Sequence, residues 1–378
     1  MVKVAITGGS GFLAAHLIRQ LQDKADDVVE EIHTIDRRSK QSQIFDFQNS
    51  RIPIIHHCCD LLSRDAVEKA LQNIDVVFHL ARKQFQYIVP DDKTRLNEQY
   101  KRDNLEATES LLDAIFAANV QNLIYVGDAY ACLPCQDNFG NSEEIHNDLP
   151  SSYMLGYYGE TRTRAELLAR KKVNSKLPDG HPFQATFLRP TLIYGEGETK
   201  LPTVLKQVAK THNNCLPYIE GPSNGLLQYM YAGNLAILME ENMRLLLTSP
   251  DRCSGEFLYC MDQTECILFS EFASRTLKCF NMKLEKPSGL LWNYGRAFWL
   301  EFVSGCQKPN VEFSLDAFRF LFVYAAGFSN RKQQLIFNFR TTSQSHLFKR
   351  YTNWIKANLA EPITKQQAHA QSNILRMG

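Results

Sequence analysis

Short runs rich in β-branched residues alternate with amphipathic stretches through the first half of the chain. Val2–Thr7, Ile32–Asp36, Ile52–Cys58, Val76–Ala81, Leu123–Val126 and Ala185–Arg189 have the character of strands. Between them, Phe12–Gln22, Arg64–Asn73, Asn104–Ala118 and Tyr158–Lys172 place apolar residues at helical spacing. This alternation predicts an α/β fold, a doubly wound parallel sheet with helices on both faces. After about residue 195 it weakens, and longer helical patterns occupy 201–211, 232–247 and 268–279. The division that follows is a nucleotide-binding domain over 1–198 and a smaller C-terminal substrate-binding region over 199–358, partly interleaved with the first. The polar segment 359–378 has no apolar pattern and is expected to be a disordered tail.

No stretch reaches ~18 uncharged apolar residues, so a membrane-spanning helix is not expected. GLLWNYGRAFWLEFVSG at 289–305, interrupted by Arg296 and Glu301, and AFRFLFVYAAGF at 317–328 come closest. Each fits either a buried helix or an apolar surface lying on a membrane. A net charge of +1 without a block of like charges argues against a nucleic-acid surface. Ten cysteines scattered along 378 residues read as reduced thiols. MVKVAITGG enters a strand at once, leaving no room for a secretory signal. The expected compartment is cytoplasmic, with a peripheral place on the cytosolic face of the endoplasmic reticulum as the alternative.

TGGSGFLAAHL follows the first strand and opens a helix. Gly8 and Gly11 let backbone approach a pyrophosphate, which the free N–H groups and dipole of the helix N-terminus attract. Asp36, ending the second strand in HTIDRR, stands where a carboxylate would grip a ribose diol. This favours NAD over NADP, although Arg37 beside it could accept a 2′-phosphate. In YYGETRTRAE at 157–166, Tyr158 and Arg162 are one helical turn apart, and a cation beside a phenol favours its ionised form.

With CDLLSRDAVEKAL, VVFHLA, NLEATESLL and YYGETRTRAE added to the glycine loop, the chain resembles the extended short-chain dehydrogenases. LRPTLIYGEG at 188–197, LQYMYAGNLA at 227–236 and AFWLEFVSG at 297–305 narrow the resemblance to the 3β-hydroxysteroid dehydrogenase/isomerase family, over residues 2–355. It implies a Rossmann-type fold, an NAD cofactor, oxidoreductase activity in steroid biosynthesis, and a small apolar alcohol or ketone as substrate. It also leaves room for a homodimer and for peripheral membrane contact. By the same resemblance Gly8, Gly11 and Phe12 line the pyrophosphate, Asp36 holds the adenosine ribose, and Asp60 with Leu61 flanks the adenine. Ala81 lines the cofactor cleft, Tyr158 is the catalytic acid/base, and Pro190 shapes the nicotinamide pocket. Tyr231 and Asn234 either position a loop near substrate or simply pack. Asn104 either kinks a helix and anchors an active-site water or packs between helices.

Two positions depart from the family pattern. The lysine that holds the ribose and acidifies the tyrosine is Arg162, and the substrate-orienting serine, at the end of the strand in LIYVGDAY, is Asp128. Arg162 keeps charge and donors but cannot give up a proton. An ionised Asp128 has no hydrogen to donate and would oppose a tyrosinate. Three readings stay open: a working dehydrogenase with a rebuilt proton path through Asp128 or Tyr130, a cofactor-binding protein without turnover, and a dehydrogenase or epimerase acting on a non-steroid. No metal site is expected. Cys132 and Cys135 form a CxxC lacking a second ligand pair, and adjacent His56 and His57 point to opposite faces of a strand.

Overall fold

The computed structural model describes residues 1–39, 44–47, 50–143, 149–218, 225–286, 295, 311–337, 339, 341–342 and 346–360. Seven parallel strands form the central sheet: β1 (Val2–Thr7), β2 (Val29–Asp36), β3 (Ile54–Cys58), β4 (Val76–His79), β5 (Asn122–Val126), β6 (Gln184–Pro190) and β7 (Phe257–Cys260). Their order is β7-β6-β5-β4-β1-β2-β3. The chain runs outward from β1 to β3, then returns to lay β4 on the other side of β1, where Val4 pairs with Val76 and Thr7 with His79. In such sheets a crevice opens beyond the carboxyl ends of the strands at this reversal.

Alternation along each strand divides the core. Val4 and Ile6 of β1, Phe78 of β4 and Ile124 of β5 bury against α1 (Phe12–Lys24) on one face. Ala5, Val77, Leu123 and Tyr125 bury on the other, against α2 (Arg64–Ala70), α3 (Ala107–Ala117) and α4 (Gly156–Lys172). Both faces are covered, which is why the strands read as apolar runs. The sheet and its covering helices also draw on residues beyond 198. α5 (Ala232–Thr248) joins α1 on its face of the sheet, and β7 extends the sheet beside β6, with Leu258 opposite Leu188.

Some boundaries move for local reasons. α2 stops at Ala70 rather than Asn73, because Asn73 takes a left-handed conformation at φ 60°. β4 ends at His79, and Ala81 turns its N–H to Thr7 Oγ1 instead of a strand partner. The expected helix from Asn104 begins as a π turn, Lys101–Glu106, which rests on Asn104. That side chain is buried, accepting from Lys83 N at 2.9 Å and donating to Thr161 Oγ1 at 3.1 Å. Wide turns of this kind often mark functional places in helices.

Of the two apolar stretches, 317–328 is buried. Phe318, Phe320, Leu321 and Phe322 enter an aromatic cluster with Phe269, Phe272 and Tyr351, and Ala326–Phe328 pairs with Asn138–Asn141. The stretch 289–305, apart from Gly295, and the tail from Glu361 lie outside the described residues. Among the described residues no helix is long and apolar enough to cross a membrane.

One buried ion pair ties α4 to β6. Arg189 Nη2 lies 2.7 Å from Glu166 Oε1, with both side chains 5% exposed. Removing one partner of such a pair strands the other charge. Arg189→Met should therefore lower stability by about 3–5 kcal/mol in urea unfolding, and Glu166→Leu with Arg189→Met should recover most of it.

Candidate active site

Beyond the carboxyl ends of β1, β2 and β4 lies a cavity of about 380 Å³. Gly8, Gly11, Phe12, Asp36, Asp60, Leu61 and Ala81, all expected cofactor residues, line it. Gly8 holds φ at +70°, and a Cβ there would stand 2.9 Å from Ala81 Cα. Only glycine lets β1 turn so close to the loop after β4. At Gly11 the N–H donates to Gly8 O at 2.8 Å, and α1 begins without a side-chain cap or an acidic residue in its first turn. Its free N–H groups are the kind of donors an anion satisfies.

At the far end of this cavity Asp36 accepts from Ser10 N at 3.1 Å and from Arg38 N at 2.9 Å, and its carboxylate also pairs with the Arg38 guanidinium. Burial works against its ionisation, but Arg38 and the backbone donors outweigh burial and hold the carboxyl below its ordinary range. The glycine turn, uncapped helix and carboxylate at the end of β2 together fit a dinucleotide.

A second, smaller cavity of about 80 Å³ shares Phe12, Arg82 and Gln84 with the first. Tyr158, Asp128 and Pro190 line it, beside an apolar wall that includes Phe85, Leu155 and Phe320. Asp128 follows β5, where Gly127 N donates to Leu188 O at 2.7 Å and Ala129 N to Pro190 O at 3.0 Å. Tyr158 reaches it from α4 because Gly159 has no side chain; a Cβ there would be 2.6 Å from Ala131 O.

Tyr158 Oη donates to Asp128 Oδ2 at 3.0 Å, and the other carboxylate oxygen accepts from Tyr130 N at 3.0 Å. Tyr130 is fixed in turn: its hydroxyl donates to Gln228 O at 2.8 Å and accepts from Gln228 N at 3.1 Å. The Gln228 side chain then brackets Phe328, accepting from its N–H at 2.8 Å and donating to its carbonyl at 3.3 Å. Burial raises the Tyr158 pKa well above that of a free phenol; Arg82 opposes this, Asp128 adds to it, and Arg162 opposes it more weakly than Arg82. Near neutral pH, Tyr158 is therefore a phenol, and its hydrogen goes to Asp128.

Arg162 lines neither cavity. It is 2% exposed and donates from Nη2 to Val126 O at 2.6 Å, with its guanidinium over the Tyr125 ring. Among the described residues its Nε and Nη1 have no hydrogen-bond partner. The cation that does line both cavities is Arg82, with Nη1 4.0 Å from Asp128 Oδ2. Sequence reasoning passed over it, although it directly follows VVFHLA. Glu198 and Lys200, just after LIYGEG, also line the second cavity and were missed. Burial pushes Glu198 up to about 7 despite the N–H groups of Leu201 and Lys200, and burial with the nearby Lys83 charge lowers Lys200 to about 8.

Tyr231 and Asn234 lie away from both cavities: Tyr231 Oη donates to Glu196 Oε2 at 2.6 Å and Asn234 Nδ2 to Asp262 Oδ2 at 2.8 Å. Cys132 and Cys135 are free thiols, the first buried beside Arg189. His56 bonds Thr34 and the Arg38 carbonyl, whereas His57 bonds His33.

The chain is similar over most of its length to several known proteins. A vaccinia virus (strain Copenhagen) 3 beta-hydroxysteroid dehydrogenase/Delta 5-->4-isomerase is 26% identical over 93% of this chain and 92% of its own. The sterol-4-alpha-carboxylate 3-dehydrogenase, decarboxylating, of Saccharomyces cerevisiae is 32% identical over 69% of this chain and 71% of its own. Among solved structures, the dTDP-glucose 4,6-dehydratase of Streptomyces venezuelae with NAD bound shares the fold, with a TM-score of 0.65 at 16% identity over 94% of this chain and 97% of that one. The family model for the 3-beta hydroxysteroid dehydrogenase/isomerase family matches residues 5–291, and the chain belongs to that family.

Proposed function

We propose that this protein is an NAD-dependent oxidoreductase that interconverts a secondary alcohol and a ketone on an apolar, steroid-like substrate, with Tyr158 and Asp128 acting as one acid–base pair. The hydrogen bond from Tyr158 to Asp128, 3.0 Å long in the wall of a cavity adjoining the dinucleotide-shaped one, carries this reading. Gly8, Gly11, Phe12 and Asp36 would hold NAD, which when bound supplies the hydride acceptor. Tyr158 Oη is the group that meets the substrate oxygen. In oxidation it takes the alcohol proton while its own proton passes to Asp128 Oδ2; in reduction the same two protons move the opposite way. The Tyr130 N–H and the Arg82 charge hold Asp128 in place. Phe85, Leu155 and Phe320 suit a flat apolar substrate.

A second reading, a dinucleotide-binding protein without turnover, draws on the burial of Arg162 outside both cavities and on the raised Tyr158 pKa. NADH formation from NAD and a 3β-hydroxy-Δ5 steroid decides between them. Turnover is expected to fall about 10²–10⁴-fold in Tyr158→Phe, with NADH binding retained. Silence of the native protein with every secondary alcohol offered, while NADH still binds, would favour the second reading.

Arg82 and Arg162 are separable in the pH–rate profile. Losing the Arg82 charge removes the larger of the two cationic influences that oppose the raised Tyr158 pKa. The acid limb of oxidation should therefore move to higher pH in Arg82→Gln and return in Arg82→Lys. Arg162→Gln should move it less, since its effect on Tyr158 is the smaller.

A further inference from the structure

The adenosine end of the larger cavity holds Asp36, Asp60, Asp103, Arg37 and Arg38 in its lining. Their pairing is unequal. Arg38 is committed to Asp36. Arg37 grips Asp103 with both arms, Nη1 to Oδ1 at 3.2 Å and Nη2 to Oδ2 at 3.0 Å, and Nη1 stands 3.9 Å from Asp60 Oδ2. Arg102 joins Asp60 and Asp103, each at 2.6 Å. Counting Arg102, three guanidinium groups meet three carboxylates. The carboxylates are the fixed members: the Asp36 and Asp103 side chains are 10% and 11% exposed, against 52% and 62% for Arg37 and Arg38. Asp103 is held in the π turn beside the anchored Asn104, so its position does not depend on the arginines alone.

A 2′-phosphate on the adenosine ribose needs a guanidinium to meet it, and of the two that follow Asp36, Arg38 is already bonded to that carboxylate. We propose that Asp103 sets the choice of dinucleotide: by engaging both arms of Arg37 it withholds that guanidinium from a 2′-phosphate, so the site takes NAD(H) and rejects NADP(H). Removing the Asp103 carboxylate leaves the cluster with one excess positive charge and frees the Arg37 fork for the phosphate. The inference rests on the reading of this cavity as a dinucleotide site, and it concerns binding rather than turnover.

The test is a fluorescence titration of NADH and NADPH against the full-length protein and its Asp103→Ala, Asp103→Asn and Asp103→Ala/Arg37→Gln variants. The native protein should prefer NADH. In Asp103→Ala the affinity for NADPH should rise about tenfold or more, the scale of one charge-assisted contact, and the second substitution should abolish the gain. Asp103→Asn keeps the shape and removes the charge, so it carries the test should the alanine variant misfold. If both Asp103 variants still bind NADH with no gain for NADPH, Asp103 is not the determinant and the proposal fails. Native protein that binds NADPH as tightly as NADH overturns it too. Binding of neither nucleotide by the native protein would instead remove the dinucleotide reading itself, and this proposal with it.

Discussion

A phenol buried beside a carboxylate is the constraint around which the rest of this site is arranged. Tyr158 gives its only hydrogen to Asp128, and burial and the surrounding charges either raise or lower the pKa of its phenol. The lowering comes mainly from Arg82, at the junction of two cavities, and only secondarily from Arg162 beneath them. In the family pattern a lysine supplies the positive charge and a serine supplies a hydrogen. Here the charge comes from a different loop, and the serine's place is taken by an acceptor. With its hydrogen given to Asp128, the Tyr158 hydroxyl keeps its lone pairs as acceptors on the cavity side.

How well each residue could be read from sequence follows from how local its constraint is. Gly8, Gly11 and Asp36 serve backbone geometry at the end of one strand and the start of the next helix, so a dozen residues contain the argument. Tyr158 was legible for the same reason, as a helical residue in a recognisable frame. Arg82 was not, because its importance depends on Gly8 and Ala81 meeting across two strands far apart in sequence. Arg162 shows the converse: helical spacing placed it one turn from Tyr158, but nothing in that spacing told that its guanidinium would go to the Val126 carbonyl and the Tyr125 ring. The π turn at Lys101–Glu106 and the burial of 317–328 are tertiary outcomes, decided by which partners Asn104 and the phenylalanines find.

The frame that holds these groups is fixed by buried contacts. Glu166 and Arg189 lock α4 to β6 in the interior, and Gly159 lets that helix rest against the backbone after β5. Tyr158 and Asp128 thus descend from two elements whose separation is set by packing rather than by chain length. Such preorganisation matters where proton positions must be held within fractions of an ångström.

Tyr130 and Gln228 extend this frame into the covering region. The tyrosine hydroxyl trades hydrogen bonds with both backbone groups of Gln228, as a neighbouring strand would, and the glutamine side chain does the same for Phe328. Two side chains thereby continue a sheet-like ladder from the carboxylate loop to the C-terminal wall. Phe328 is thus tied through space to the loop that carries Asp128. Residues a hundred positions apart in sequence are held in register by one tyrosine and one glutamine, so the placement of Phe328 beside the loop after β5 does not rest on a continuous strand between them.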